Sequence, residues 1–392
     1  MLYENNYIEK LTGIKGVILK NIEENNTSIT LSFKLEVKDH KCPCCGNITR
    51  KIHDYRTQII KEAPIFGKHT YFRFRKRRYI CKHCNKRFYE KVSFAPRYHR
   101  MTSRLVSLIV EKMRNTHSMS SIADECNVSV HTITRVFNYV NYSIKHLPSV
   151  LSIDEFKGNA GKKKYQCILT DPKNKKVLDI LEGREQHILI DYFKNFKDRK
   201  NVKYFVMDMW KPYKEVAETY FKNSTIVIDK YHFIRQVIWA FERVRKSEQK
   251  KFASVRRKYF KRSRFLLLKR MKNLDEEQLQ AVEVMLKTSS KLSDAYMLKE
   301  KFYEFVDSPD LESAKRNLKA WYLFVGTCNV PEFDECVNTI NNWEKYILNS
   351  FTCPYTNGYT EGVNNKIKVL KRNAYGVRNF NRFRNRILHV MS

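Results

Sequence analysis

The order of hydrophobic and polar positions changes character several times along the chain. In the first 95 residues, alternating positions predict a strand at 28–35 that pairs with a strand at 71–75. From 102 to 141, hydrophobic positions recur at helical spacing instead. Short β-rich runs follow, separated by turns and one helix-like stretch, and lie at 150–153, 165–170, 177–181, 204–207 and 226–228. This succession predicts a mixed α/β sheet.

Between about Phe233 and Trp343 the strand patterns vanish, and long, basic, amphipathic helical patterns replace them. The segment after Gly358 again fits the α/β unit. The sequence therefore predicts an α/β domain that an all-helical insertion interrupts.

The amino-acid composition indicates what kind of molecule the chain binds. The 392 residues exceed what one domain usually holds, and 75 lysines and arginines against 41 acidic residues give a net charge of +34. Each lysine or arginine that neutralises a phosphate releases counterions, so a long polyanion is the natural partner. We therefore expect binding to double-stranded DNA. The alternative is a lysine-rich surface of the kind common in AT-rich bacteria.

Hydrophobicity and cysteine usage exclude other classes. With 42% hydrophobic residues, the chain is too apolar to be a disordered basic tail. No apolar run reaches the ~18–20 residues of a membrane span, and the polar segment from Met1 to Lys10 is unlike a signal peptide. We expect a soluble cytoplasmic protein associated with the nucleoid. Ten cysteines in that compartment indicate metal binding where they cluster.

Two Cys-x-x-Cys knuckles form the cysteine cluster. Four thiolates in this paired spacing predict a closed tetrahedral zinc site of the structural kind, without an open position for substrate. Cys44 occupies an x position and is expected to be a spectator, whereas His83 could compete as a ligand. Between the knuckles, Arg77 and Arg78 are candidate phosphate contacts. The predicted zinc ligands are Cys42, Cys45, Cys81 and Cys84.

A helix-turn-helix is predicted between Met119 and Phe137. A short polar turn at Cys126-Asn127 separates two helical patterns, and Ile133 with Val136 forms the inner face of the second. A plain helical hairpin is the alternative. The residues expected to face DNA from the second helix are Ser129, His131, Thr132 and Arg135.

Three carboxylates stand out by position. Asp154 and Asp208 each end a β-rich run, and Glu361 opens a helix-like segment. Carboxylates at strand ends lie where α/β folds gather their sites, and three hard oxygen ligands suit Mg²⁺ or Mn²⁺. Two such ions could assist phosphodiester chemistry. Glu155 is an alternative first ligand, but it would point to the opposite face of its strand.

The segments around these acids resemble the three acidic blocks of bacterial insertion-sequence DDE transposases of the ISL-three family. The blocks are Ser152–Phe156, Val206–Tyr213 and Thr360–Lys368, and the likeness continues through Lys371–Gly376 and Asn379-Phe380. The zinc knuckles and helix-turn-helix precede them in the same order. The resemblance thus covers nearly the whole chain, and the last block is the most specific.

The resemblance implies an RNase H-like catalytic domain with a helical insertion between the second and third acids. It also implies recognition of terminal inverted repeats by the N-terminal modules, DNA cleavage and strand transfer to target DNA. We further expect a homo-oligomer in the DNA complex. The expected domains are a zinc-ribbon-like β module at 1–95, the helix-turn-helix at 96–147, the catalytic domain at 148–235 and 345–392, and the insertion at 236–344.

Two further groups bear on this mechanism. Asp229 and His232 resemble an Asp-x-x-His element that several DDE transposases carry, an accessory site for a flipped base or a phosphate. The alternative is a helix-capping aspartate with a packed histidine. The helix that carries Glu361 also has a basic face, which we expect to bind DNA. The alternative is an ordinary solvated surface. The residues of this face are Asn365, Lys366, Lys368, Lys371 and Arg372.

Three rival functions stay open. A zinc-ribbon and helix-turn-helix protein could be a DNA-binding regulator without chemistry, although the chain after 148 exceeds what a regulator needs. A nuclease or resolvase would cut without joining, but no serine-recombinase constellation is found. The third is a degenerate transposase, or one whose C-terminal tail has been clipped.

Overall fold

The computed structural model describes residues 2–158, 160–262 and 264–392. Its strands are β1 (Val17–Glu24), β2 (Ser28–Leu35), β3 (His40–Lys41), β4 (Ile48–Thr49), β5 (Ile52–Ile65), β6 (Lys68–Ile80), β7 (Arg87–Tyr89), β8 (Val150–Lys157), β9 (Tyr165–Asp171), β10 (Lys176–Leu181), β11 (Tyr204–Met207) and β12 (Thr225–Ile228). Its α-helices are α1 (Leu2–Thr12), α2 (Ser103–Lys112), α3 (Met119–Glu125), α4 (Val130–Phe137), α5 (Gln186–Phe193), α6 (Lys211–Tyr220), α7 (Lys230–Lys250), α8 (Ser254–Arg262), α9 (Arg264–Leu268), α10 (Glu276–Leu286), α11 (Ser290–Val306), α12 (Leu311–Cys328), α13 (Asp334–Leu348), α14 (Gly358–Asn373) and α15 (Phe380–Met391).

Contacts between residues divide the chain into two units. One unit comprises Met1–Tyr142 together with Lys368–Ser392, and the other comprises Ser143–Ile367. The domain boundaries expected from the sequence stay a prediction.

The β module of the first unit is built on the strand pairing that the sequence predicts. Strands β2 and β6 are parallel neighbours, with Ile29 opposite Thr70 and Phe33 opposite Phe74. The sheet order is β1-β2-β6-β5, and β7 pairs with β6. Alternate side chains of β2 are buried, as expected for strands with one face on a core. Aromatic rings dominate that core, and Phe94 closes it against Phe33 and Phe74.

The helix-turn-helix is confirmed as α3 and α4, with Asn127 in the left-handed conformation at the turn. Ile133 and Val136 are buried as predicted, and Ser129 caps α4 by accepting from the backbone N–H of Thr132 at 3.2 Å. The C-terminal helix α15 completes this part of the unit. Buried Arg386 donates to backbone carbonyls that follow α2, those of Met113, Asn115 and His117.

The second unit contains the predicted mixed sheet, in the order β10-β9-β8-β11-β12. Strands β8, β9 and β10 form an antiparallel meander, while β11 lies parallel to both β8 and β12. This arrangement confirms the mixed sheet that the pattern predicts and matches the RNase H-like fold that the family resemblance implies. One face packs its side chains, including Leu151, Phe205 and Ile228, into the main core. The opposite face presents Val150, Val206 and Val227.

Helices α7 to α13 form the long helical region that follows β12, as the sequence predicts. Its interior is aromatic: the ring centroids of Phe302 and Trp321 lie 4.9 Å apart, and the indole N–H of Trp321 donates to the carbonyl of Leu298. Within the ranges that the structure describes, no helix has both the length and the apolarity needed to cross a membrane.

Candidate active site and zinc module

Three aspartates lie close together on three adjacent parallel strands. Asp208 directly follows β11 and Asp229 directly follows β12, as their strand bounds show. The expectation that Asp154 also ends its strand is wrong, because β8 continues to Lys157 and pairs with β9 beyond this point.

The register pairs Ser152 with Val206, so Asp154 lies opposite Asp208 two residues further on. Asp229 follows β12 and lies beside Asp208 by the same rule. Because side chains alternate along a strand, all three aspartates belong to the face opposite the main core.

Helix α14 covers this face through a buried polar network. Thr360 contacts the hydroxyl groups of Ser152 at 3.3 Å and Thr170 at 2.8 Å. The Ser152 hydroxyl also donates to the side-chain oxygen of Asn357, which precedes the helix. These contacts fix the first turns of α14 over β8 and β9, and so position the residues that follow on the helix.

Asp154 is almost fully buried, with 8% of its surface exposed. Its Oδ2 accepts a hydrogen bond of 2.9 Å from the side-chain amide of Asn364. Burial raises the pKa of Asp154 to about 7, and the charges of Glu155 and Asp208 add to the rise. A second carboxylate therefore lies close enough to oppose ionisation of the first.

Asp208 is held by two cationic groups from α7. Nδ1 of His232 lies 2.7 Å from Oδ1, and the Arg235 guanidinium lies 3.7 Å from Oδ2. Burial works against ionisation of Asp208, but the hydrogen bond and charge of His232 outweigh it and lower the pKa. Burial likewise opposes protonation of His232, and Asp208 overcomes it to raise the pKa of the ring.

Glu361 lies in the first turn of α14, and its backbone N–H donates to the carbonyl of Asn357. Among the described residues, no hydrogen bond or ion pair joins its side chain to Asp154 or Asp208. Glu361 precedes Asn364 by three positions, so the two side chains share one side of the helix, about one turn apart. The structure thus brings Asp154 and Asp208 together, and it places Glu361 one helical turn before Asn364, the residue that contacts Asp154.

Glu155 points to the opposite face of β8, as the alternation predicts. Its carboxylate forms an ion pair of 2.6 Å with Arg184 and accepts from the Tyr213 hydroxyl at 3.3 Å. Arg184 also lies over the rings of Trp210 and Tyr165, at 4.5 and 4.7 Å. The charge of Glu155 is therefore compensated by Arg184 on the face of the sheet opposite to Asp154. This arrangement favours Asp154 over Glu155 as the first acid.

Asp229 is buried, and both of its carboxylate oxygens accept hydrogen bonds from backbone N–H groups. Its Oδ2 caps α7 by accepting from the N–H of Tyr231 at 3.2 Å, and Oδ1 accepts from the N–H of Asn357 at 2.9 Å. This is the capping geometry that the sequence left open as the alternative to an accessory site. His232 is buried as well, and its Nδ1 contacts the carboxylate of Asp208.

The two knuckles gather their four cysteines at one point. The sulfur atoms of Cys42, Cys45, Cys81 and Cys84 all lie within 4.8 Å of one another. Gly46 and Asn85 occupy equivalent positive-φ turns, and each donates its N–H to the carbonyl of the first cysteine of its knuckle. Backbone N–H donors, that of Cys45 foremost, lower the pKa of Cys42 to about 6. The cluster is consistent with a structural zinc site.

Cys44 and His83 are both exposed and stand outside this group. The expectation that Cys44 is a spectator agrees with its position, and His83 does not join the four thiols.

The predicted DNA contacts divide by exposure. On α4, Ser129, His131 and Arg135 are exposed and Thr132 is partly so. On α14, Lys371 is partly buried, whereas the other predicted DNA contacts are exposed, namely Asn365, Lys366, Lys368 and Arg372.

Arg77 does not fit its expected role. Its side chain is 2% exposed, pairs with Glu90 at 3.2 Å and donates to the carbonyls of Leu35 and Glu36. A guanidinium that ties three strand segments together inside the module cannot reach a phosphate. Arg78, with 35% of its side chain exposed, can.

Sequence reasoning missed Asn364 and Arg235. Asn364 is 8% exposed, and its Oδ1 is buried without a hydrogen bond. A signal was present for Asn364, since it lies three residues after Glu361, but only the fold shows that it faces Asp154.

Family models match three consecutive parts of the chain. Residues 38–84 match the zinc-finger of transposase IS204/IS1001/IS1096/IS1165, and residues 90–141 match the helix-turn-helix domain of transposase family ISL3. Residues 151–387, more than half of the chain, match the DDE transposase model of the same family.

Individual relatives agree with this pattern. The transposase for insertion sequence element IS1001 of Bordetella parapertussis is 24% identical over 393 residues, 96% of each chain. The transposase for insertion sequence element IS1557 of Mycobacterium tuberculosis (strain CDC 1551 / Oshkosh) is 31% identical over 123 residues, 31% of this chain and 28% of the relative. A Lactococcus lactis protein named ATP-dependent protease is 35% identical over 108 residues, 27% of this chain and 33% of that protein.

Proposed function

This chain belongs to the ISL3 family of DDE transposases, and from that premise we propose that it binds the terminal inverted repeats of an insertion sequence, cleaves the DNA there and transfers the ends to target DNA. We propose Asp154, Asp208 and Glu361 as the residues that hold the Mg²⁺ or Mn²⁺ required for both steps. Cys42, Cys45, Cys81 and Cys84 would hold a structural Zn²⁺.

The observation that carries the proposal is the placement of Asp154 beside Asp208. Asp208 directly follows β11, and Asp154 lies on the neighbouring β8 two residues beyond the last β8–β11 pair; Asp154 contacts α14, the helix that carries Glu361. In α/β sheets, functional groups gather just beyond the carboxyl ends of the parallel pairings, and both aspartates lie there. His232 and Arg235 compensate Asp208, whereas no cationic side chain is paired with Asp154 among the described residues. A buried carboxylate without a paired cation is unfavourable, so a bound divalent ion would stabilise the ionised form of Asp154.

The donor set fits a hard divalent cation. Carboxylate and amide oxygens are the ligands that Mg²⁺ and Mn²⁺ prefer, and Asn364 places a buried, unpaired Oδ1 next to Asp154. The pKa of Asp154, raised to about 7 mainly by burial and further by neighbouring carboxylates, is what such a site has before a cation neutralises it.

The protein's own side chains would position these ligands. His232 and Arg235 fix the orientation of Asp208, and Asn364 fixes that of Asp154. Bound divalent ions would activate the attacking water or 3′-hydroxyl and stabilise the leaving oxygen. The reaction would then need no covalent enzyme intermediate. Lysines and asparagines of α14 would orient the DNA strand beside the site.

We assign end recognition to α4, whose exposed residues face away from the core of the helix-turn-helix. The zinc module would add phosphate contacts through Arg78. Two DNA ends must be joined to one target, so we also propose a homo-oligomer in the DNA complex.

The test uses purified zinc-loaded protein, Mg²⁺ and a labelled duplex carrying the element end. We expect the wild type to cleave and to join this end to a target plasmid. Asp154→Asn, Asp208→Asn and Glu361→Gln should each lose both activities while still binding the duplex, because each change removes charge from the metal ligands and leaves side-chain volume unchanged.

Glu277→Gln is the matched control, because Glu277 is an exposed glutamate in the first turn of α10. It should leave cleavage unchanged. Full cleavage by any of the three site variants would remove that residue from the ligand set. Binding without cleavage by every form, the wild type included, would favour a DNA-binding regulator.

A further inference from the structure

The most concentrated charge of the second unit lies in the helical region and outside every group discussed so far. Between Glu248 and Asp275 the chain has eleven lysines and arginines and no acidic residue. The centre of this stretch is α8, and its basic residues are Arg256, Arg257, Lys258, Lys261 and Arg262.

The way α8 packs decides which of these charges face outward. Phe260 is buried and stacks on Phe252, with ring centroids 4.8 Å apart. At 100° per residue, the positions opposite Phe260 on the helix are Val255, Lys258 and Arg262. All three are exposed, and Val255 is 83% exposed.

This face keeps its charge uncompensated. Four cations elsewhere in the stretch have acidic partners among the described residues: Lys251 pairs with Glu248, Arg264 with Glu242, and both Arg270 and Lys272 with Asp307. In the described part of the chain, no acidic side chain pairs with Lys258 or Arg262. Like charges four residues apart on a helix destabilise it, so an anionic partner would relieve the repulsion between Lys258 and Arg262.

We infer that α8 is a binding surface for the phosphate backbone of double-stranded DNA. A second copy of the same face would be repelled by its charge, whereas a duplex offers one phosphate per ~1.7 Å of its axis. Exposed Tyr259 and Phe265, 44% and 64% exposed, add apolar surface beside the cations. The inference rests on the proposed function only in taking DNA as the partner.

The distance between α8 and the acids indicates which part of a bound duplex α8 would contact. Helix α7 carries His232 near its start and α8 follows its end, and its 21 residues rise about 30 Å. That length equals roughly nine base pairs at ~3.4 Å per pair. A duplex contacting α8 would therefore be held well outside the scissile position, independently of its base sequence.

The test is fluorescence anisotropy of a 40-base-pair duplex without element sequence. Full-length zinc-loaded protein is titrated without divalent cation across a series of salt concentrations. We expect Lys258→Ala/Arg262→Ala to weaken binding about tenfold or more at low salt. The slope of log affinity against log salt should fall by about 1.8, or ~0.9 for each lost phosphate contact. Lys258→Glu/Arg262→Glu should weaken binding further.

Arg316→Ala/Lys319→Ala on α12 is the control, since it removes the same charge from exposed helical positions of the same region. An affinity and salt slope equal to this control would overturn the inference. So would a change in sedimentation without a change in DNA affinity, which would make the face a protein contact. Because no cleavage is measured, an inactive protein that still shows the α8 effect would refute the proposed chemistry and not this surface.

Discussion

Asp154 and Glu155 are neighbours in the chain, yet they belong to different environments. The strand period of two directs Asp154 toward α14 and Glu155 toward Arg184 and Tyr213. The sequence was sufficient for this distinction because the alternation is local. It was insufficient for Asn364, whose contact with Asp154 spans 210 positions and depends on where α14 lies.

Replacing Asn364 should separate binding from cleavage. Asn364→Ala removes the donor to Asp154, and a hydrogen bond to a charged group contributes about 1.5–3 kcal/mol. We expect single-turnover cleavage to fall about tenfold to a hundredfold, with duplex affinity unchanged and the Mg²⁺ dependence shifted to higher concentration. Asn341→Ala, at an exposed position of α13, should match the wild type. Unaltered Mg²⁺ dependence would mean that Asn364 does not position the ligand.

Arg77 and Arg78 are adjacent cations with opposite expected phenotypes. Arg77→Ala leaves Glu90 buried without its partner, which should cost about 3–5 kcal/mol in the β module. Arg78→Ala should cost less than ~1 kcal/mol, because its pair with Asp54 is partly exposed. Tryptophan fluorescence does not report this, because all four tryptophans lie in the second unit. Hydrogen exchange of the β6 amides measures the stability of the β module directly. Equal protection of these amides in both variants would contradict the prediction.

Among the elements, the zinc knuckles are the most predictable, since their spacing alone selects the four ligands. Cys81→Ser should release one zinc per chain and expose the amides of β3, β4 and β7 to exchange. Cys44→Ser and His83→Ala should keep the metal. The measurements are zinc content by mass spectrometry and hydrogen exchange. Loss of zinc in the Cys44 variant would mean that the ligand set is wrong.

The helix α4 is expected to read bases rather than only phosphates. Arg135→Ala should reduce affinity for the element end by about 1–3 kcal/mol and leave affinity for unrelated duplex nearly unchanged. Lys91→Ala, at an exposed position before α2, should affect both duplexes equally or not at all. Competition binding with the two duplexes measures the difference, and equal losses for both in the Arg135 variant would make α4 a backbone contact.

At the scale of the whole molecule, the net charge of +34 predicts steep salt dependence. A protein with about 6–10 phosphate contacts loses roughly 10³–10⁵ in affinity between 50 and 200 mM salt. Anisotropy of a nonspecific duplex measures the slope. A slope corresponding to fewer than about three contacts would show that most of the charge is an ordinary solvated surface.

The sequence predicted the order of the modules, the β2–β6 pairing and the position of Asp208 at a strand end, because each leaves a local pattern. It placed the end of β8 too early, at Asp154, because the polar residues that follow hide the continuation of the strand to Lys157.

The sequence did not predict that Arg77 would be buried, since a basic run has no internal sign of which cation turns inward. The capping role of Asp229 was left open for a similar reason. Its second partner, the Asn357 N–H, lies 128 residues away and has no counterpart in the local pattern.

The contact between Arg386 and the carbonyls after α2 affects when the helix-turn-helix can complete its folding during synthesis. Arg386 follows Met113 by 273 positions, and at about 5–20 residues per second a ribosome needs roughly 15–55 s to add them. The helix-turn-helix is thus translated early, but it lacks the hydrogen bonds from Arg386 until α15 has left the ribosome. A nascent chain would therefore acquire its complete DNA-recognition unit only after the acids of the sheet have been made, so that reading and cutting become competent together.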